Sequence, residues 1–247
     1  MTKKVGIIGV GKMGLPIAAN LIERGWEVMG YRRSSMSDFI DIGGKPAETP
    51  AEVASECDVV ITILPDVAAL DEVVNGANGM LVDPRPDLLV IEMSTLLESD
   101  KRNALDAVVA RGGDLLDCPI SGIPMMIQPR RATVFASGAA ASIDRAAAVL
   151  DDIGPWQNVG PFGDGAKLKY VANLLVSVHN AVAAEAMAFA VRIGLDPQMV
   201  LDAVTGTIAS STTLERRAPM MLAGNWEQRP GPIETMHEIL KQIDTTA

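Results

Sequence analysis

Between Lys3 and Gly160 short apolar runs alternate with stretches in which apolar residues recur every three or four positions. The apolar runs predict strands at 5–8, 27–29, 58–64, 88–93, 114–118 and 132–136. The three-to-four spacing predicts helices at 13–24, 50–56, 67–74, 98–111 and 141–150. Strands that alternate with helices imply crossover units and a mostly parallel sheet covered on both faces. Residues 1–162 are therefore expected to form a doubly wound α/β domain.

Beyond Gly160 the strand signal stops. One helical pattern runs from 166 to 193 and is ended by Gly194, and Asp196-Pro197 supplies the N-cap and first position of the next helix. Further helices are expected at 211–222 and 233–243, separated by the turn Arg229-Pro230-Gly231-Pro232. Residues 163–247 thus read as an all-α domain begun by a long interdomain helix. Two segments imitate something else. Residues 1–21 have the lysines and apolar run of a secretory signal, but Gly9, Gly11 and Gly14 interrupt it, so no signal peptide is expected. Residues 171–191 are apolar enough to span a bilayer, yet His179, Asn180 and Glu185 lie inside the run, which favours a buried core helix.

Composition narrows the function. The chain has 247 residues, 31 acidic against 21 basic, a net charge of −10 and 2 Cys. That balance gives no electrostatic footprint for nucleic acid or an anionic membrane, so neither is expected as a partner. Cys57 and Cys118 read as free thiols of a reducing, cytoplasmic compartment, Cys118 being open to thiol reagents. His179 and His237 lack the spaced partners of a metal site, so no metal is expected. Most of the acidity falls in the α/β part, so any anionic cofactor there must be held by local geometry.

That geometry is offered by Gly9-Val10-Gly11-Lys12-Met13-Gly14, which follows a predicted strand and opens a predicted helix. Gly9 permits the tight turn, Gly11 lets the backbone approach a pyrophosphate and Gly14 lets helix and strand pack closely. The helix N-terminus adds unpaired N–H groups and the positive end of its dipole. This is the Rossmann-type dinucleotide turn. At the end of the second strand an NAD site places an acid on the ribose, whereas this sequence has Tyr31-Arg32-Arg33-Ser34. Arginine suits a phosphate because its planar fork donates two bonds at once. NADP(H) is therefore expected over NAD(H), with Arg33 or Arg32 on the 2′-phosphate.

The turn and its continuation Leu15-Pro16-Ile17-Ala18-Ala19-Asn20-Leu21, together with Leu64-Pro65-Asp66, Ser94-Thr95, Asp117-Cys118-Pro119-Ile120-Ser121-Gly122 and Gly163-Asp164-Gly165-Ala166-Lys167-Leu168-Lys169, resemble the β-hydroxyacid dehydrogenases. That family includes 3-hydroxyisobutyrate dehydrogenase, tartronate semialdehyde reductase and, more distantly, 6-phosphogluconate dehydrogenase. The resemblance implies cofactor contacts at Leu64, Pro65 and Thr95, a substrate carboxylate at Ser121 and Gly122, and a catalytic Lys and Asn one helical turn apart. Only Lys169 has an Asn four residues on, Asn173, and residues four apart share a helix face. Ser177 and Asn180 continue that polar stripe, while Lys167 points about 200° away. A polar stripe on an apolar helix needs partners, as a wet cleft would supply. The implied activity is hydride transfer between NADP(H) and a small semialdehyde or β-hydroxyacid carboxylate, with Lys169 exchanging the proton.

The sequence departs from the family at several places. No Pro follows Ser94-Thr95, and Ile123-Pro124 follows Ser121-Gly122 where a third small residue is usual. The β-branched Ile123 is expected to narrow the pocket. Glu238 stands where the family carries a lysine near the cofactor, with Lys241 out of register, and the helical part is short, as in a truncated domain. These departures keep open a dinucleotide-binding scaffold or sensor with little catalysis; an imine reductase-like enzyme, which shares the architecture, is the other alternative, and Lys169 and Asn173 argue against it. The long apolar helix suggests a homo-oligomer, dimer or tetramer.

Overall fold

The computed structural model describes residues 3–224 and 233–246. The sheet contains β1 (Lys4–Ile8), β2 (Glu27–Tyr31), β3 (Lys45–Pro46), β4 (Val59–Thr62), β5 (Leu89–Glu92), β6 (Asp114–Asp117), β7 (Ile120–Ser121), β8 (Thr133–Ser137) and β9 (Trp156–Gly160). Among them lie α1 (Gly14–Glu23), α2 (Ser37–Asp41), α3 (Pro50–Glu56), α4 (Val67–Asn75), α5 (Glu98–Val109), α6 (Pro124–Ile127) and α7 (Ala140–Ile153). Then follow α8 (Asp164–Arg192), α9 (Pro197–Val204), α10 (Thr212–Leu222) and α11 (Ile233–Thr246). The turn at Arg229 to Pro232 lies outside the described residues.

The sheet order is β3-β2-β1-β4-β5-β6-β8-β7, with β9 beside β8. Pairing is parallel from β3 through β6, and β8 then turns antiparallel to β6 and β7. Strand order reverses between β1 and β4, the switch point outside which open α/β sheets bind ligands. Residues such as Ile7, Ile61 and Ile91 face one apolar cluster, while Ile8, Val60 and Val90 face another. Burial on both faces is why these strands read as continuous apolar runs.

Helix starts follow local chemistry. Thr49, Asp66, Asp196 and Ser211 cap α3, α4, α9 and α10 through side-chain oxygens that accept backbone N–H bonds. The chain divides into two compact units, Met1–Lys169 and Tyr170–Ala247, and α8 begins in the first and continues into the second. The second unit has its own small core of Ala183, Met187, Leu201, Leu214 and Ala218.

α8 departs from the expected buried core helix. It is long and apolar enough to cross a membrane by length and composition, but only 17% of its most apolar window is buried. Its apolar residues run nearly all round, whereas the second unit's core takes up one stripe of it.

Candidate active site

Three glycines shape the turn between β1 and α1 for different reasons. Gly9 has φ +102°, and a Cβ there would lie 2.1 Å from the Ile63 carbonyl oxygen. A Cβ on Gly14 would lie 2.2 Å from the Gly9 carbonyl oxygen. Gly11 is different: nothing lies within 4 Å of where its Cβ would be. The fold therefore requires Gly9 and Gly14, whereas Gly11 leaves open a cradle in a cavity wall that a side chain would fill. Met13, at the N-cap of α1, makes no side-chain cap bond, so no cap side chain closes the helix N-terminus, although the Leu15 N–H donates to the Gly11 carbonyl at 2.9 Å.

The cavity has a volume of about 570 Å³. Gly9, Gly11, Arg32, Arg33, Leu64 and Pro65 are among its lining residues, brought from the ends of β1, β2 and β4. Val10 instead buries its side chain in the core. Lys12, Met13, Gly14 and Thr95 do not line the cavity, nor do Ser121, Gly122, Lys169 or Asn173.

The two arginines differ sharply. Arg32 Nη1 donates to the Val10 carbonyl at 2.7 Å, Nη2 pairs with Asp38, and the guanidinium also donates to the Ser35 carbonyl. Those contacts hold the 32–38 segment to the glycine turn, and Arg32 holds the Asp38 carboxyl below its ordinary range. Arg33 is exposed and has Glu72 at 3.8 Å, a distance and exposure that bind weakly. Arg33 is therefore the guanidinium available to a phosphate, and Arg32 serves the loop.

At the start of α8, Gly163 has φ +98°, and a Cβ on Gly165 would meet the Phe135 and Asp117 carbonyl oxygens at 2.7 and 2.8 Å. These glycines let the helix begin hard against the ends of β6 and β8. One turn further on, Lys169 is buried, and among the described residues no carboxylate pairs with it. Burial pulls its ammonium from the ordinary 10.5 down to about 8. Asn173, on the same face, is buried with an Nδ2 that lacks a hydrogen-bond partner. Ser177 Oγ donates back to the Asn173 carbonyl at 2.8 Å. Lys167, by contrast, is exposed and pairs with Asp164 at 3.2 Å. A buried amine and a buried amide without partners are the mark of groups kept for a ligand.

Ser121 and Gly122 follow at the end of β7, half-buried. Ile123 sits at ordinary extended angles, φ −112° and ψ 162°, and Pro124 opens α6, so the β-branched residue brings no strain. Cys118 is wholly buried and its thiol is pushed up, which removes the expected reactivity toward thiol reagents. The Glu238 side chain lies outside the described residues.

Sequence reasoning missed one cluster. Lys101, Glu92 and Asp117 are fully buried together, with Lys101 Nζ 2.7 Å from both Glu92 Oε2 and Asp117 Oδ1. The available signal was spacing: Lys101 shares the buried face of α5 with Ala104 and Val108.

Comparison with known proteins agrees with this architecture. Residues 4–163 match the model of the NAD binding domain of 6-phosphogluconate dehydrogenase. Residues 163–240 match that of the NAD-binding domain of NADP-dependent 3-hydroxyisobutyrate dehydrogenase. An L-threonate dehydrogenase of Cupriavidus necator is 34% identical over 230 residues, 92% of this chain and 77% of that one. The 3-hydroxyisobutyrate dehydrogenase of Salmonella typhimurium superposes with a TM-score of 0.88 at 27% identity, over 99% of this chain and 86% of that one. The Mycobacterium tuberculosis 3-hydroxyisobutyrate dehydrogenase with L-serine shares the fold, with a TM-score of 0.87 at 24% identity, over 100% of this chain and 87% of that one. A doubly wound domain with this turn, continued by helices, defines an oxidoreductase with NAD-binding domains. The chain belongs to the β-hydroxyacid dehydrogenase family.

Proposed function

We propose that the protein transfers a hydride between NADP(H) and a small β-hydroxyacid or semialdehyde carboxylate, with Lys169 exchanging the proton on the substrate oxygen. The observation that carries this reading is Lys169, buried, lowered to about 8 and without a carboxylate partner among the described residues, one turn before the orphaned Nδ2 of Asn173. Near that pH both protonation states are populated, so Lys169 can donate during reduction and accept during oxidation. Asn173 can donate to the same oxygen, and Ser121-Gly122 would hold the carboxylate.

The Gly9–Gly14 turn fits a dinucleotide because the cradle at Gly11 faces the cavity and the α1 N-terminus favours a pyrophosphate. Arg33 would take the 2′-phosphate, while Leu64, Pro65 and Thr95 would lie along the cofactor. The bound nicotinamide supplies or accepts the hydride.

The test is oxidation of NADPH with glyoxylate and with the semialdehydes of tartronate, succinate and methylmalonate, and the reverse reaction with L-threonate and 3-hydroxyisobutyrate. Lys169→Ala is expected to lower kcat by roughly 10² to 10⁴ with NADPH affinity unchanged. Retained turnover would remove Lys169 from the chemistry, and NADPH binding without turnover of any substrate would favour a scaffold. Arg33→Ala should raise KM for NADPH about tenfold or more and leave that for NADH alone. Equal constants for the two cofactors in the unaltered protein would overturn the NADP preference.

A further inference from the structure

Lys101 lies apart from the groups proposed to carry the chemistry. A lysine with no exposed surface is expensive, and a buried ion pair is weak evidence for stability, because an apolar cluster of similar volume often does as well. Here one ammonium faces two buried carboxylates. Its geometry toward Asp117 Oδ1 is a hydrogen bond, and toward Glu92 Oε2 it is an ion pair without hydrogen-bond alignment. Burial alone would lower Lys101, but the two carboxylates outweigh it and keep the ammonium protonated. Burial pushes the Glu92 carboxyl up against the pull of Lys101.

The arms of the cluster end on segments that carry the site. Glu92 Oε1 accepts from the Ser94 N–H at 2.9 Å, and Ser94 Oγ accepts from the Leu64 N–H at 2.8 Å. Asp117 Oδ2 accepts from the Ala166 N–H at 2.7 Å, closing the N-terminus of α8 in place of a local cap. Ser137 Oγ donates toward Asp117 and accepts from the Gly165 N–H at 3.0 Å. The charge left over on the carboxylates is thus met by the backbone N–H groups of Ser94 and Ala166, the second at a helix N-terminus where negative charge is favoured.

We propose that Lys101 is a positioning residue for the reaction, its buried ammonium locking Glu92 and Asp117 so that the Leu64-Pro65 loop, the Ser94-Thr95 loop and the first turn of α8 form one rigid frame that sets where Lys169 stands. The inference rests on the reading of Lys169 given above. It assigns the two ends of the frame different jobs. The Ser94 end holds a loop in the wall of the dinucleotide cavity, and the Ser137 end holds the helix that presents the amine.

The test compares Lys101→Met, Ser94→Ala and Ser137→Ala in the full chain, well below the melting temperature of each. Ser137→Ala is expected to lower kcat about tenfold with NADPH affinity within twofold, because a displacement of the amine acts on the chemical step. Ser94→Ala is expected to weaken NADPH about three- to tenfold and leave kcat within twofold. Lys101→Met should do both. Reductive methylation of Lys169 across pH, read by mass spectrometry, needs no substrate. Its midpoint should move up toward 10.5 in Lys101→Met and Ser137→Ala as the amine loses its fixed burial. If the variants melt earlier but kcat, NADPH affinity and the Lys169 midpoint stay within these margins, the cluster is structural only and the proposal fails. If Lys101→Met does not fold, the two serine variants decide. If the unaltered protein reduces no semialdehyde, the functional reading fails by itself, while methylation and NADPH binding still decide the role of Lys101.

Discussion

A single side chain, Lys169, places a cost on the fold that the proposed proton transfer would use. Its ammonium is lowered from 10.5 to about 8 by burial. Below pH 8 both folded and unfolded chains carry the proton, and the folded state bears the full penalty of a desolvated charge. Between 8 and 10.5 the unfolded chain binds more proton than the folded one, so this group's contribution to stability rises with pH and the penalty fades. The penalty is on the order of 3 kcal/mol, following from about 1.4 kcal/mol per pKa unit. Lys169→Met is therefore expected to raise the melting temperature at pH 7 and to lose that advantage above pH 10, while activity collapses. Thermal unfolding of both proteins at the two pH values checks this, and equal melting at pH 7 would show that burial imposes no such penalty. Arg32 offers the converse case, a charge used for structure. Arg32→Ala should weaken NADH and NADPH alike by releasing the 32–38 segment, where Arg33→Ala affects NADPH alone; titration of both cofactors against both variants separates the roles.

At the scale of elements the β1–α1 turn gives a sharp contrast. Gly11→Ala meets no atom within 4 Å, so stability should stay within about 0.5 kcal/mol while dinucleotide affinity falls at least tenfold. Gly9→Ala meets the Ile63 carbonyl at a positive φ and should lose stability first, by about 1–3 kcal/mol. Urea unfolding with NADPH titration tells them apart, and a Gly11→Ala protein that binds normally would remove the pyrophosphate from that cradle. The six main strands and most helices were legible because strands buried on both faces are apolar runs and helix starts carry Thr49, Asp66, Asp196 and Ser211. β9 was not, since it ends the sheet with Gln157 and Asn158 exposed, nor were the two-residue β3 and the five-residue α2. The Lys169–Asn173 pair was picked out by the family resemblance, with the four-residue spacing choosing Lys169 over Lys167. The division of labour between Arg32 and Arg33 could not be read from the sequence, because it depends on Asp38 and on a carbonyl 22 residues away. The Lys101 cluster was hidden for the same reason: its partners arrive from two strands, and a lysine on a helix ordinarily reads as solvated.

For the whole molecule, charge and apolar exposure pull in different directions. The net charge of −10 keeps copies apart, yet α8 exposes Val171, Leu175, Val178, Val182 and Phe189. Their spacing of four, three, four and seven residues sets them along one stripe, the pattern of a helix that packs against another. Lipid is a poor occupant, because His179, Asn180 and Glu185 interrupt the apolar run and the acidity repels an anionic bilayer. A second copy of the chain would supply a matching stripe, and among the described residues the second unit's own core is small, with five buried apolar residues. We therefore expect copies to associate through α8, and folding of the second unit to depend on it. Unfolding in urea should then show an early step whose midpoint rises with protein concentration, by about 1.4 kcal/mol of stability for each tenfold increase in a dimer. Leu175→Asp should abolish that dependence and give the mass of a single chain in light scattering. A protein that scatters as one chain at every concentration, with an early step insensitive to dilution, would show that the stripe has no such role.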